Sequence, residues 1–315
     1  MSPNESSDRA ATALAAPRAE RGVSPAVSVG VPVYNGERYL EVAIRSVLSQ
    51  SWSDLELVIC DNCSTDRTAE IGRTYAAQDP RVRYLRNDRN IGAAGNFRRV
   101  FHESRAPVYR WLCSDDYVGP TSIEKCLRVL QARPDASVVC TKADFVDEHG
   151  ATIKPYDAPQ AVDEERADAR FRAAFDRDPW CNSAYGLIRR STLLRTALHQ
   201  PFPASDKALI IELAIHGKIL EIDETLFFRR IHPGAYSYAV SSERDRSFYT
   251  PTESRRESPM LRAWPNTRAY LGAIARSSAG LGEKLGMLAY VARQSWWQRD
   301  EMFDEAKRSL RRAGS

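Results

Sequence analysis

From Ala26 onward the chain alternates two hydrophobic patterns. AVSVGVPV (26–33) is a nearly continuous apolar run, as expected of a strand buried on both faces. Tyr39, Leu40, Ala43, Ile44, Val47 and Leu48 then recur at helical spacing. A second run, LELVIC (55–60), ends at Asp61 and passes through NCSTD to a helix expected from about Arg67, with Ser64 or Thr65 as its cap. The alternation continues with a strand at 82–86, a helix at 92–104 and PVYRWLC (107–113), a buried strand that stops at SDD. A helix at 120–133 and a strand at 137–140 follow. Strand and helix in turn predict an α/β fold with a mostly parallel sheet flanked by helices. Ligands of such sheets bind beyond the carboxyl ends of the strands. Asn35, Asp61, Gly92, Asp115 and Asp116 all fall at or just after such ends.

The regularity weakens between 150 and 180, which reads as a loop holding a helix near 166–175. It returns as a short strand at 184–188, helices at 190–198 and 205–217, and strands at 219–222 and 226–231. Residues 240–260 are polar and aperiodic, and 266–312 read as two or three amphipathic helices carrying Trp296 and Trp297. The expected organisation is a disordered leader over 1–25 and an α/β domain over 26–235, in two halves at about 26–118 and 119–235. A loop over 236–265 and a C-terminal helical extension over 266–315 complete the chain.

Composition narrows the function little. Forty-five Lys and Arg against 41 Asp and Glu leave a net charge of +4, too balanced for a dedicated nucleic-acid binder. The Arg-rich stretches at 81–89 and 299–312 read first as solvated faces. The six cysteines sit mostly in apolar runs, and Cys60 and Cys63 form a lone C-x-x-C with no second pair to complete a zinc site. Both points favour a reducing, cytoplasmic location. No run approaches the roughly 18 apolar residues that span a bilayer, which leaves peripheral contact with the inner face of a membrane as the other option.

The chemistry concentrates at SDD (114–116), two adjacent carboxylates on a loop at the sheet edge. Adjacent acids repel unless a cation joins them, and Mg²⁺ or Mn²⁺ held by carboxylates and diphosphate oxygens is a hard-ligand solution. Turns and helix starts also use Asp freely, so the pair by itself decides nothing. GAAG (92–95) hints at dinucleotide binding, but no G-x-G-x-x-G opens a helix after the first strand.

VSVGVPVYNGERYLEVAIRSVLSQSW, LELVICDNCSTDRT, RNIGAAGNFRRVF and WLCSDDYVGP together resemble, in order, the blocks of family 2 glycosyltransferases, over roughly 26–235. The resemblance implies a GT-A fold with a Rossmann-like sheet, which makes 26–235 the catalytic domain, with a nucleotide-sugar half at about 26–118 and an acceptor half at about 119–235. It implies transfer of a sugar from a nucleoside-diphosphate sugar, UDP or dTDP favoured, to an acceptor hydroxyl with inversion at the sugar carbon. By the same resemblance Pro32, Tyr34 and Glu37 line the nucleotide pocket, and Asp61 accepts a hydrogen bond from the base, where a turn aspartate is the plainer reading. Arg86, Gly92 and Asn96 lie beside the donor, the two glycines Gly92 and Gly95 allowing close approach. Asp116 is expected to ligate Mn²⁺ or Mg²⁺. Asp115 contacts the ribose or shares the metal, or the two acids exchange these roles, and Ser114 lies with them on the donor side. Cys113 or Ser114 occupies the place where the family often has a first aspartate.

An inverting transfer needs a base for the acceptor proton. Asp206, in PASDKALIIELAIHGK, resembles the family's second acidic motif, with an N-cap as its rival reading. FFRRIHPGAYS (227–237) places Arg229, Arg230 and His232 where related enzymes hold the diphosphate, and His232 completes the metal shell or is a surface histidine. Trp180, Asn182 and Tyr185 resemble the acceptor side, with core packing an equal account of the two aromatics. A growing glycan, a lipid-linked saccharide and a small natural product all suit as acceptors, in single transfers. The competing reading is an inactive nucleotide-sugar-binding or assembly protein acting through its helical tail, whose helices pair subunits, pack on the catalytic domain or rest on a membrane.

Overall fold

A computed structural model describes residues 24–235, 248–249 and 262–313, with side chains to 307. The leader expected over 1–25 lies almost entirely outside the described residues, as does most of the aperiodic stretch at 240–260.

Nine strands among the described residues form one sheet: β1 (Val27–Val33), β2 (Leu55–Asp61), β3 (Val82–Arg86), β4 (Val108–Trp111), β5 (Tyr117–Val118), β6 (Ala136–Val146), β7 (Thr152–Pro155), β8 (Leu187–Arg189) and β9 (Lys218–Arg230). Their order is β3-β2-β1-β4-β8-β6-β9-β5, with β7 on β6. β1, β2, β3 and β4 pair in parallel. β8 is antiparallel to both β4 and β6, so β6 and its parallel neighbour β9 run with the first four. Only β5, β7 and β8 oppose them, so the mostly parallel sheet expected from the alternation is present. Every residue of β1 and β2 is buried, which is why neither shows a period of two. Gly30 lets β1 pass Tyr109: a Cβ there would stand 2.0 Å from the Tyr109 hydroxyl.

The flanking helices are α1 (Leu40–Leu48), α2 (Thr68–Gln78), α3 (Ala93–Glu103), α4 (Ser122–Ala132), α5 (Ala167–Asp176), the single turn α6 (Arg190–Leu193) and α7 (Ser205–His216). α1 buries Leu40, Ala43, Ile44 and Val47, as its spacing predicts. Neither Ser64 nor Thr65 caps α2. The Asp66 carboxylate takes the Thr68 N–H at 3.0 Å, while Ser64 and Thr65 bond to Asn35 instead.

Several boundaries in the second half differ from the sequence pattern. The two strands expected at 219–222 and 226–231 are one, β9, interrupted in register where Thr141 pairs with Ile222 and Lys142 with Thr225. Asp223 and Glu224 bulge out there and bind Lys142 and Lys125, so two charged residues in mid-strand resemble a loop. The expected strand at 184–188 is a 3₁₀ turn (Asn182–Tyr185) followed by β8, and the helix expected at 190–198 is only α6. The stretch 150–180 holds β7 as well as α5, and Val162 bridges to Ile219.

Three helices follow: α8 (Ala263–Arg276), α9 (Leu281–Trp297) and α10 (Arg299–Ala313). α8 begins before Pro265 because proline is tolerated in a helix's first turn, where its missing N–H breaks no bond. Tyr290 of α9 packs edge-on to Phe171 and 5.1 Å from Phe175, both on α5. Arg276 of α8 bonds buried Glu212 of α7 at 2.8 Å. The extension is therefore seated on the helices behind the sheet. No helix among the described residues is long and apolar enough to cross a membrane.

Candidate active site

The loops after β1 and β2 are stitched together. Asn35 adopts positive φ (52°), donates its N–H to the Ser64 hydroxyl at 2.9 Å and accepts the Thr65 N–H at 2.8 Å. Gly36 donates to the Thr68 hydroxyl at 2.8 Å. Glu37 donates its N–H to Asp66 and accepts the Arg67 N–H at 3.0 Å. Pro32 is buried in β1 beyond the last β1–β4 partner, where a missing N–H costs nothing on that side. Tyr34 is half exposed.

Asp61, at the end of β2, is fully buried. One oxygen accepts the Ser64 N–H at 2.8 Å; the other accepts the Tyr84 hydroxyl at 2.6 Å and Arg86 Nη1 at 2.9 Å. Three of about four acceptor positions of a carboxylate are thus filled from within the protein. Burial, then the bond to Asp61, pushes the Tyr84 phenol up to about 12, so it stays a donor. Arg86 also holds the Ser64 carbonyl at 2.8 Å. Asn96, placed beside the donor by resemblance, is buried beneath the strand ends. Its amide donates to the Cys60 carbonyl at 2.7 Å and accepts from Asn87, so it supports the floor of the cleft and does not present a free amide. Gly92 has φ 78° and caps α3, a conformation open to glycine.

The acidic loop after β4 adjoins this wall: a Cβ on Gly36 would lie 3.3 Å from the Ser114 hydroxyl oxygen. Ligand atoms of Cys113, Asp115 and Asp116 lie within 4.8 Å of one another. Asp116 is buried, and its Oδ1 accepts the Arg230 N–H at 2.9 Å. Burial, then the Asp115 charge, raises its carboxyl to about 8 despite the opposing pull of Arg229. Two oxygen ligands and a thiol held this closely suit a divalent cation, which would relieve the carboxylate repulsion. His232 Nε2 lies 3.1 Å from Asp115 Oδ2, its ring against Tyr39. The histidine therefore orients Asp115 and stands outside the three-residue cluster.

Arg230, assigned to the donor by resemblance, has another task. Its guanidinium bonds the Asp115, Asp147 and Glu148 carbonyls at 2.8–3.0 Å and lies over the Tyr39 and Tyr117 rings. Buried and engaged on all these carbonyls, it braces the acidic loop from behind. Arg229 is the arginine that faces the cluster, lowering the Asp116 carboxyl and bonding Asn182 Oδ1 at 2.8 Å.

Beyond Arg229 lies the arm 178–185. Trp180 is partly exposed, edge-on to Phe145 and under the Arg229 guanidinium at 5.2 Å. Asn182 is buried, and its Nδ2 finds no hydrogen-bond partner among the described residues. Tyr185 is buried and stacked on Phe227, which makes it core. Asp206 is the second residue of α7, after an N-terminal cap at Ala204 (φ 64°) that has no side-chain bond. It is therefore not the helix cap. Its charge acts on both Cys181 and Tyr185, as Arg229 does, so it belongs to the same neighbourhood.

Three residues of the site carried no sequence signal of their own. Tyr84 and Tyr39 read as ordinary apolar positions of a strand and a helix. Asp178, at φ 50°, holds the arm by accepting Asn182 N–H, Ser183 N–H and the Tyr156 hydroxyl, and a lone aspartate in a loop does not announce that.

Comparison with known proteins agrees with this geometry. The chain is similar to chondroitin synthase of Escherichia coli, 37% identical over 132 residues, which is 41% of this chain and 19% of that protein. It is similar to a glycosyltransferase of Nostoc at 30% identity over 216 residues, 65% of each chain. The matches thus span less than two thirds of these relatives' own length. The fold is of GT-A type: S. aureus TarS crystallised with UDP-GlcNAc superposes with a TM-score of 0.61 at 18% identity, over 86% of this chain and 72% of that one. The family model described as "Glycosyl transferase family 2" matches residues 28–193, from β1 through α6, which is more than half of the chain and includes Asp61 and the acidic loop. On that match the chain belongs to glycosyl transferase family 2.

Proposed function

We propose that this chain is an inverting glycosyltransferase that moves one sugar at a time from a UDP- or dTDP-sugar to an acceptor hydroxyl. The observation that carries this reading is the contact of the Asp115–Asp116 loop with the wall built by Asn35, Asp61 and Ser64, at the carboxyl ends of parallel strands. The co-crystallised UDP-GlcNAc of TarS supports a nucleotide-sugar donor.

Within this reading Asp116 and Asp115 hold Mn²⁺ or Mg²⁺, with Cys113 adjacent. A bound divalent ion supplies charge stabilisation to the departing diphosphate. Asp61 shapes the base pocket from beneath, holding Arg86, Tyr84 and the Ser64 loop in place. Arg229 supplies a second positive charge on the diphosphate side. Trp180 gives an apolar face for the acceptor, and the unpartnered Asn182 Nδ2 offers it a donor. As the acceptor oxygen attacks the sugar carbon, its proton passes to the Asp206 carboxylate and the bond from that carbon to the diphosphate breaks. Glycans, lipid-linked saccharides and small natural products all suit an acceptor held in this way.

Calorimetry with UDP, dTDP, GDP and their sugars, with and without Mn²⁺, tests the donor side against Asp116→Ala. Asp206→Asn tests the chemical step. The expected result is metal-dependent binding of a uracil or thymine nucleotide, lost at 116. At 206 binding is retained while transfer falls about 10²- to 10⁴-fold, the contribution of a positioned base. No nucleotide binding at all would favour an assembly role for the helical extension, and binding without turnover by the wild type would favour an inactive relative.

A further inference from the structure

α9 has two apolar faces, and only one of them is used. Met287, Tyr290 and Val291 are buried toward α5 and α8. On the other side Leu281, Leu285, Leu288, Ala292 and Trp296 succeed one another at four, three, four and four residues, one stripe roughly 22 Å long at 1.5 Å per residue. These side chains face solvent: Leu281 is 76% exposed, Leu285 57%, Leu288 40% and Trp296 67%. Trp297 (65%) and, past the turn into α10, Phe303 (64%) continue the apolar surface. A helix that only packs on its own domain presents polar residues on its outer side. A contiguous outward stripe of this size marks a contact surface.

The charges around the stripe choose its partner. By helical position Lys284 and Arg293 flank it on opposite sides. Arg293 lies 5.2 Å from the Trp297 ring centroid, and Arg299 lies 4.9 Å from that of Trp296. The one acid within α9, Glu283, is turned to the body of the protein, where it accepts the Ala167 and Gly280 N–H groups at 2.8 and 3.1 Å. Beyond α9, acids return in the first half of α10, at Asp300, Glu301, Asp304 and Glu305, past the end of the leucine stripe. Leucines between basic flanks, with tryptophans and arginines at one end, form the pattern of a helix lying in a lipid interface. Self-pairing of this face in a two-fold dimer would instead bring its cations toward their own copies.

We propose that α9 docks this chain on an anionic lipid bilayer, with Leu281, Leu285, Leu288 and Trp296 at the acyl boundary and Lys284 and Arg293 level with the lipid phosphates. The helix lies along the surface. Docking of this kind is independent of the transfer reaction and places the cleft beside any acceptor carried in the same membrane.

Vesicle flotation of the full chain tests this, using phosphatidylcholine with and without phosphatidylglycerol, the wild type, Leu285→Glu/Leu288→Glu and Lys284→Glu/Arg293→Glu. The wild type should float with anionic vesicles, and its tryptophan emission should shift to the blue as Trp296 leaves water. The leucine double variant should lose about tenfold or more in partitioning, the cation variant should lose its preference for phosphatidylglycerol, and both should bind nucleotide like the wild type, showing that they are folded. A wild type that stays soluble overturns the proposal. So does a dimer, seen by light scattering, that the leucine variant dissolves, because that assigns the face to a second copy.

Discussion

The two walls of the cleft are built on opposite principles. The loops after β1 and β2 are closed upon themselves: Asn35 bonds Ser64 and Thr65, Glu37 donates to Asp66, and Asp61 holds three donors. The wall formed by the acidic loop and the arm 178–185 is left electrostatically open. Two neighbouring carboxylates repel, one of them pushed up to about 8, and Asn182 Nδ2 has no partner among the described residues. A closed wall is a rigid mould whose residues matter first for stability. An open wall stores unfavourable charge that a ligand can relieve, and its residues matter first for binding and rate.

The largest expected effect comes from Asp116→Asn. With the metal-holding charge removed, transfer should fall on the order of 10³-fold, several kcal/mol of lost charge stabilisation, and donor binding should lose its Mn²⁺ dependence. The same change should leave the metal-free fold intact and remove a pH slope from it. Folded Asp116 keeps its proton up to about 8, whereas the unfolded chain releases it near 3.8, so the folded state holds the extra proton between those values. Its contribution to stability is therefore full below about 3.8 and is lost as pH rises toward 8. Across that window melting of the metal-free wild type should fall relative to the asparagine variant, and Mn²⁺ should restore it at the upper end in the wild type alone.

Asp61→Asn should give the converse, a loss of about 2–3 kcal/mol in urea unfolding with or without Mn²⁺. Asp61 is fully buried while Arg86 is about a third exposed, so water compensates the arginine in part and the cost stays toward the lower end for a broken buried pair. A variant that weakened nucleotide binding without loss of stability would show the first wall to be as open as the second.

This division also explains what the sequence made legible. The parallel block was readable because burial on both faces leaves continuous apolar runs, and strand ends mark the cleft. The acidic loop was visible as SDD after such a run. Support roles were not: whether Arg229 or Arg230 faces the cluster depends on the direction of side chains along β9, downstream of a bulge that Asp223 and Glu224 disguise as a loop. Asn96 belonged to a readable block yet is turned beneath the strands to hold the Cys60 carbonyl. Tyr84 acts through burial and proximity, which a linear pattern does not encode. α8 begins before Pro265, ahead of the start expected at 266, because proline is tolerated in the first turn of a helix.

The smallest effect lies behind the open wall, in the core under β4. His199 is buried, in contact with the rings of Trp111 and Phe97, and its Nε2 has no partner among the described residues. Burial lowers its imidazole from 6.5 to about 3. Here the folded pKa is depressed, so the associated stability is present above about 6.5 and is lost as pH falls toward 3, the opposite direction from Asp116. At a pH one unit below the unfolded value the loss should be about 1 kcal/mol, and His199→Leu should abolish it while keeping the apolar contacts. His216, lowered to about 4 by burial with Arg195 and Arg276 nearby, adds a slope of the same sign that the single variant leaves in place. Urea titrations across the acid range should therefore show a partial flattening in His199→Leu and an unchanged acid limb in Asp116→Asn below about 3.8. If the histidine variant instead altered the Mn²⁺ response, the core under β4 and the acidic loop would be coupled, and the open wall would owe part of its charge balance to the packing beneath it.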